Sequence, residues 1–389
     1  MTGQTPVAQF HNLHSAVRTA LLVTTADAAY VDRAKQLFAS VHCNGRWSGD
    51  RMLLTTGIAV DERRWFEERG IEVWVRPLPI SAETWYSARS APAFAPVVLL
   101  RYHLFGEEFR RWRVIVYLDS DIIVGGSLAE LAVVRRFSAV GDPGFPAQGN
   151  FRSPDGYRRL LLALGLPGSR RRPFNSGVLA FPTTDNSDDL VSMLTATTAA
   201  YLNELICPDQ AILNLVYSSR WAPLPQRFNL LPPGRLFGLT LAGRAVPSGL
   251  TLHFMGPRNP WEPAHAYYRL WRRYRRIADK LPSLEAEGVD RLSVGSPRTA
   301  TPLRTVVILL LIEVTRWYRV FYKWLRRTAK VVLRYKPESR RSWRRLRESV
   351  GDRSQDGSHS IVALEKRKKF RTPGKPGAKG LHQSSRPRI

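Results

Sequence analysis

An α/β fold with a mostly parallel central sheet is what this sequence predicts, on three observations. Short apolar runs of strand length alternate with segments whose apolar residues recur at helical spacing. The chain has 389 residues, 44% of them hydrophobic and 10% aromatic, so it can bury a sizeable core and accommodate two or three domains. Its net charge of +27 is unevenly placed: residues 265–389 hold 32 Lys and Arg against 10 Asp and Glu, so the alternating region is close to an ordinary globular balance and a basic segment follows it. A disordered chain and a peptide-sized scaffold are both excluded.

Residues 19–25 read as a buried strand, and Tyr30–His42 follows with Val31, Ala34, Leu37, Phe38 and Val41 on one helical face. A strand over Arg51–Thr55, a helix around Asp61–Arg69, a strand over Ile71–Val75 and a helix around Val97–Phe109 continue the alternation. The fourth strand, Val114–Leu118, is apolar throughout. Strands interleaved with helices in this way form parallel sheets covered on both faces, with ligands beyond the strands' carboxyl ends. Between Gly141 and Pro173 the chain turns to Pro, Gly and Arg, an ordered loop or flap with a short helical piece at Tyr157–Leu164. Phe174–Phe181 returns to strand character, Asp188–Asn203 and Asp209–Ser218 are helical, and Gly249–Phe254 is a final strand. The globular domain, residues 1–281, closes near Tyr274–Leu281.

A linker over 282–303 leads to a helix over 304–337, with Thr301 and Pro302 as start signals. Its apolar side carries Val314, Trp317, Tyr318, Phe321, Trp324, Leu325, Val331 and Val332, and its other side seven Arg and Lys residues from Arg316 to Arg334. Such a helix is suited to the headgroup region of an anionic membrane; packing against the globular domain is the plainer alternative. Residues 338–389 are basic and rich in Ser, Gly and Pro, a composition that favours disorder. The longest uncharged apolar stretch, Val306–Ile312, is far short of the ~20 residues a spanning helix requires. No secretory signal is read at the start, and two distant cysteines, Cys43 and Cys207, suggest neither a zinc site nor a disulfide framework, so a reducing compartment is expected.

At the end of the fourth strand stands Asp119-Ser120-Asp121. Alternate residues of an extended chain face the same way, so the two carboxylates can hold one divalent cation whose remaining positions take phosphate oxygens. A surface loop produces the same pattern by chance. Here it follows five strand-forming apolar residues, where paired carboxylates repel unless an ion or solvent offsets them.

With this motif in place the chain resembles the family-eight glycosyltransferases, specifically their glycogenin and galactinol synthase branch. Leu22–Tyr30 is similar to that family's opening strand and uridine-binding loop, and Asp142-Pro143-Gly144 to its Asp-Pro-Gly. Phe174-Asn175-Ser176-Gly177-Val178 resembles its sugar-site segment, Asp209-Gln210-Ala211-Ile212-Leu213-Asn214 its Asp-Gln-x-x-Leu-Asn element, and His253-Phe254-Met255-Gly256 with Pro260-Trp261 its closing metal and diphosphate motif. The likeness covers about residues 19–261.

It implies a GT-A fold, a Rossmann-like nucleotide-diphospho-sugar transferase architecture, with a UDP-sugar donor, Mn2+ or a similar cation, and retention of anomeric configuration. Asp119, Asp121 and His253 would hold the metal, a mixed oxygen and nitrogen set that suits Mn2+ better than Mg2+. Arg101 would contact the donor, and Asp142, Asn175 and Ser176 the sugar hydroxyls; Ser120 and Gly256 join the donor-binding set. Asp209 and Gln210 would face the anomeric carbon. Gln210 cannot be a strong nucleophile, so it would position or polarise; Asp209 could orient it, bind the sugar or attack, and as a plainer role would cap its helix. Tyr30 is a candidate to lie against uracil, with Thr24 and Asp27 at the base or ribose. Where the family usually has Lys-Pro-Trp this chain has Asn259-Pro260-Trp261, so either Arg258 replaces the lysine from a shifted position or donor affinity falls. Some thirty residues separate the Asp-Pro-Gly from Phe174, an insertion expected to cover the donor or shape the acceptor pocket.

The sequence therefore predicts a retaining, metal-dependent hexosyltransferase using UDP-glucose or UDP-galactose. It is placed peripherally at the inner, cytoplasmic face of a membrane, with a glycolipid, polysaccharide or protein acceptor. A self-glycosylating glycogenin-like protein and a catalytically silent electrostatic binding module are the alternatives. Nucleic acid is disfavoured because residues 282–389 carry no recognition motif, and a homodimer is compatible with the resemblance.

Overall fold

Strands β1 (Ala20–Thr25), β2 (Asp50–Thr55), β3 (Ile71–Val75) and β4 (Val114–Leu118) form the parallel half of a seven-stranded sheet, within a computed structural model that describes residues 19–88, 95–142, 147–166, 173–232, 249–255 and 259–282. The linker beyond 282, the 304–337 helix, the 338–389 tail, Gly256 and Arg258 lie outside the described residues. The side chains of β1 alternate between two cores. Leu21 and Val23 pack with Met52, Leu54, Ile115 and Tyr117, and Ala20 and Leu22 with Leu53, Val114 and Val116. That double burial is why these strands read as unbroken apolar runs.

The strand order is β3-β2-β1-β4-β7-β6-β8, where β6 is Ser138–Gly141, β7 Phe174–Pro182 and β8 Ala222–Pro223. β7 runs antiparallel to both β4 and β6. Its first residues therefore lie at the sheet edge where β4 ends, Leu118 opposite Val178. β5 (Ile122–Val124) and β9 (Thr251–His253) form a separate antiparallel pair with Ile122 opposite His253.

The α-helices among the described residues are α1 (Val31–Ser40), α2 (Val60–Glu67), α3 (Ala82–Ser87), α4 (Pro154–Ala163), α5 (Asp188–Tyr201), α6 (Pro208–Val216) and α7 (Tyr268–Asp279). α7 buries Leu270, Tyr274 and Ala278, packs on α1 and is tied to it by Arg275 Nη2 at 2.7 Å from Asp32 Oδ1.

Four expectations are corrected. The helix around Val97–Phe109 is two 3-10 segments, Pro96–Phe105 and Glu107–Arg111, split at Gly106, whose backbone is extended. Nearly every residue of the first segment is buried, so no solvent face imposed the 3.6-residue period. The short helical piece at Tyr157–Leu164 begins earlier, because Ser153 Oγ accepts from Gly156 N at 3.0 Å and Pro154 occupies the first turn. The final strand is only Thr251–His253 and lies outside the main sheet. Asp209 does not cap its helix: Cys207 is the cap residue, Pro208 opens the first turn and the Asp209 carboxylate points to other partners.

Candidate functional site

The carboxyl end of β4 delivers Asp119, whose backbone N–H donates to Gly177 O at 2.9 Å across to β7. Its Oδ1 accepts from Tyr117 Oη at 2.6 Å and Arg101 Nη2 at 2.7 Å. Asp121 follows at the start of the turn into β5, with Ser120 buried between the two in sequence. His253, at the end of β9, directs Nε2 to Asp121 Oδ1 at 3.3 Å and Asp119 Oδ2 at 3.6 Å. One ligand atom from each of the three residues lies within 4.8 Å of the others.

A chain of assignments starting at a backbone amide fixes the imidazole. Gly177 N–H donates to Asn175 Oδ1, which must then also accept from Asn229 Nδ2 at 2.8 Å. Asn229 Oδ1 in turn faces His253 Nδ1 at 2.8 Å, so Nδ1 carries a proton and Nε2 is the nitrogen that faces the two carboxylates. Asp121 Oδ1 is buried and has no hydrogen-bond partner among the described residues. Burial works against a protonated imidazole, yet Asp121 and Asp119 outweigh it and leave the His253 pKa raised. Two carboxylates and an oriented imidazole nitrogen that converge in this way fit a divalent metal with mixed oxygen and nitrogen preference.

Arg101 is buried beneath this set. Nη2 pairs with Asp119, Nη1 lies 2.9 Å from Asp209 Oδ2 and 3.0 Å from Ser176 O, and Nε donates to Val98 O at 3.0 Å. Burial opposes its charge, but Asp119 and Asp209 hold its pKa above the ordinary value. It supports the two carboxylates from inside the protein, and at 2% exposure it is far from the surface position an isolated helix arginine takes.

The first turn of α6 supplies Asp209 and Gln210. Asn214 pins that helix to β7 by accepting from Phe174 N and donating to Phe174 O, both at 2.8 Å. Asp209 Oδ2 also accepts from Ser176 Oγ at 2.9 Å. Gln210 Oε1 accepts from Ser176 N at 3.0 Å and Asn175 Nδ2 at 3.1 Å, and its Nε2 donates to Asn150 Oδ1 at 3.0 Å and Asp142 Oδ2 at 3.3 Å. Asp119, Asp121, His253, Arg101, Asp142, Asn175, Ser176, Asp209 and Gln210 thus form one polar network, most of it buried. Gly177 is where it closes most tightly: a Cβ there would stand 2.2 Å from His253 Cε1 and 2.9 Å from Asp119 Oδ2.

The nucleotide-side expectations fall at the end of β1. Thr24 is fully buried, and its Oγ1 has no hydrogen-bond partner among the described residues. Asp27 Oδ1 accepts from Ala29 N and Tyr30 N, turning the chain into α1. Tyr30 meets Trp261 edge-on at 6.3 Å between centroids, and the Arg33 guanidinium lies 3.6 Å from the Tyr30 ring centre and 3.9 Å from that of Trp261. Arg33 Nη1 is buried without a hydrogen-bond partner among the described residues; burial lowers the Arg33 pKa, opposed by Tyr30 and Asp121. Asn259 spends its amide on Glu262 Oε1 at 2.9 Å.

Sequence reasoning missed Tyr117, Arg33, Asn150 and Asn229. Tyr117 shares the face of Asp119 two residues on, and Arg33 lies one helical turn from Tyr30, so both had a periodic signal. Asn150 and Asn229 sit in irregular segments and had none.

The family model described as glycosyl transferase family 8 matches residues 21–264. No curated protein matches the chain significantly. Among solved structures, an active-site mutant of LgtC is 18% identical over 69% of this chain and 99% of its own, with a TM-score of 0.51, a likeness that shows the GT-A type of fold. The galactosyltransferase LgtC with donor and acceptor sugar analogues is 18% identical over the same shares, with a TM-score of 0.49. The glycosyltransferase GlyE of Streptococcus pneumoniae TIGR4 is 20% identical over 67% of this chain and 62% of its own, with a TM-score of 0.46.

Proposed function

Because the chain belongs to glycosyl transferase family 8 and is a glycosyltransferase, we propose that it moves a hexose from UDP-glucose or UDP-galactose to an acceptor hydroxyl with retention of configuration. The observation that carries this reading is the set of Asp119, Asp121 and His253 at the sheet's carboxyl edge, next to the Asp209–Gln210 turn. The three residues would hold Mn2+ or another divalent cation, which when bound supplies Lewis-acid neutralisation of a departing diphosphate.

The chain's own groups account for the rest. Asn229 and the Nδ1 proton keep His253 Nε2 aimed at the two carboxylates. Thr24, Asp27 and Tyr30 stand on the nucleoside side, and Arg33, with an unspent N–H, offers the cation that Asn259 does not. Asp209 is neutralised by Arg101 and bonded by Ser176, and both lone pairs of the Gln210 carbonyl are taken. Groups so engaged are poor nucleophiles, which favours positioning roles for both and departure and attack on the same face of the sugar.

Calorimetric titration of UDP into the protein with Mn2+, with EDTA and with Asp121→Asn tests this. Binding that requires both metal and Asp121 is expected; UDP that fails to bind in all three, or binds equally in all three, overturns it. Peripheral attachment to the cytoplasmic face of an anionic membrane is the proposed location. It is supported by the basic excess after residue 264 and by Arg269, Arg272 and Arg276, exposed along one side of α7.

A further inference from the structure

The inserted segment between β6 and β7 reaches into the polar network through one side chain. Phe151 bridges to Leu205, Ile206 N donates to Asn150 O at 2.8 Å, and Arg152 N donates to Glu204 O at 2.9 Å. Arg159 pairs with Glu204 as well. These contacts fix Asn150 against the chain that leads into α6. Its side chain is 2% exposed.

The orientation of its amide follows from the backbone. Ser176 N–H obliges Gln210 to present Oε1, so Gln210 presents Nε2 to Asn150, and Asn150 must answer with Oδ1 at 3.0 Å. A flipped amide would set two N–H groups face to face. Asn150 Nδ2 then points elsewhere, and it has no partner among the described residues. Around Gln210, the amides of Asn175, Gln210 and Asn214 are all engaged. The Asn150 N–H2 is the unspent donor of the group, and a buried donor without an acceptor is costly unless a ligand provides one.

We propose that Asn150 is a specificity-determining residue that donates its Nδ2–H to a hydroxyl of the transferred sugar. The proposal rests on the donor reading above and deepens it: the insertion selects which hexose is accepted, while the metal set and the end of β1 hold the nucleotide. A site that must hydrogen-bond a hydroxyl discriminates strongly against a substrate lacking it, because its own buried group is then left unpaired.

The test compares the full chain with Asn150→Ala and with Asn150→Asp, which keeps an oxygen for Gln210 and removes the donor. Hydrolysis of UDP-glucose, UDP-galactose and their monodeoxy analogues is followed with Mn2+, and UDP affinity is measured alongside. The expected result is a kcat/KM on the preferred hexose lowered about tenfold or more in both variants, UDP affinity within about twofold of the parent, and one deoxy analogue that parent and variants handle alike. An equal loss on every hexose and every analogue, or a parallel fall in UDP affinity, overturns the proposal and leaves Asn150 a packing residue. Variants that match the parent on all sugars refute it alone. A parent that neither binds UDP nor hydrolyses any UDP-hexose refutes the donor reading, and this proposal with it.

Discussion

Replacing Gly177 by alanine should disable the metal set while leaving the fold standing. The added methyl would lie 2.2 Å from Cε1 and 2.6 Å from Nδ1 of His253, and 2.9 Å from Asp119 Oδ2. Ordinary carbon contacts lie near 3.5 Å, so the ring must retreat roughly 1.3 Å, well beyond the ~0.5 Å within which a functional constellation has to be held. Retreat breaks the Nδ1 contact to Asn229 or pulls Nε2 away from Asp121. Overpacking a filled site costs about 1–3 kcal/mol, so a melting temperature lower by ~2–10 °C is expected. Metal-dependent UDP affinity should fall about 10–100-fold, the order expected when a ligand-orienting contact to a metal site is lost. Gly141→Ala is the control: its Cβ would meet only Trp221 Cη2, at 3.8 Å. Calorimetry of UDP with Mn2+ and a thermal melt read both effects. Gly177→Ala that binds UDP and metal like the parent would show that the imidazole position is irrelevant to the site, and the geometric argument would fall.

Arg101→Ala should cost about 3–5 kcal/mol, because it leaves Asp119 and Asp209 buried without their shared cation; denaturant unfolding that shows less than ~1 kcal/mol would contradict the bridge. Burial pushes the thiols of Cys43 up to about 11 and Cys207 up to about 12. Alkylation at pH 8 should therefore be roughly a thousandfold slower at Cys43 and roughly ten-thousandfold slower at Cys207 than for a fully ionised thiol, and should quicken about tenfold per pH unit. Burial also raises the hydroxyl of Tyr267 to about 12 and that of Tyr117 well above the ordinary value. Because the folded pKa values exceed the unfolded one, the stability these tyrosines contribute is complete below about pH 10 and declines as pH rises through the folded values; melts at pH 8 and pH 11 measure the difference. Proteolytic loss of residues 300–389 should release the protein from anionic vesicles, and unchanged partitioning in a flotation assay counts against membrane attachment.

The parallel half of the sheet was legible because β1 to β4 are buried on both faces and announce themselves as apolar runs. β5, β6 and β8 were not, since strands of two to four residues carry too little pattern to stand out. The direction of β7 was hidden as well, although it brings Asn175, Ser176 and Gly177 to the end of β4; a strand's sequence is the same whichever way its neighbour runs. In the site, Asp119 and Asp121 were readable from their place after a strand. The task of Arg101 was not, because it depends on Asp119 and Asp209, 18 residues and 108 residues away in sequence and joined only by the fold. Asn150 illustrates the limit most plainly. Nothing in an irregular, Pro- and Gly-rich insertion marks one asparagine out, and its significance comes from a backbone amide on another strand.

The pairing of β5 with β9 has a consequence for how the molecule lasts in solution. A cation held jointly by Asp121 and His253 would be a removable cross-link closing a loop of roughly 130 residues. Because it would bind the folded chain and be released on unfolding, it would serve the reaction and also add stability that grows with the logarithm of free metal concentration. Resistance to unfolding and to proteases would then track metal supply, so metal starvation would lower the amount of protein as well as its activity.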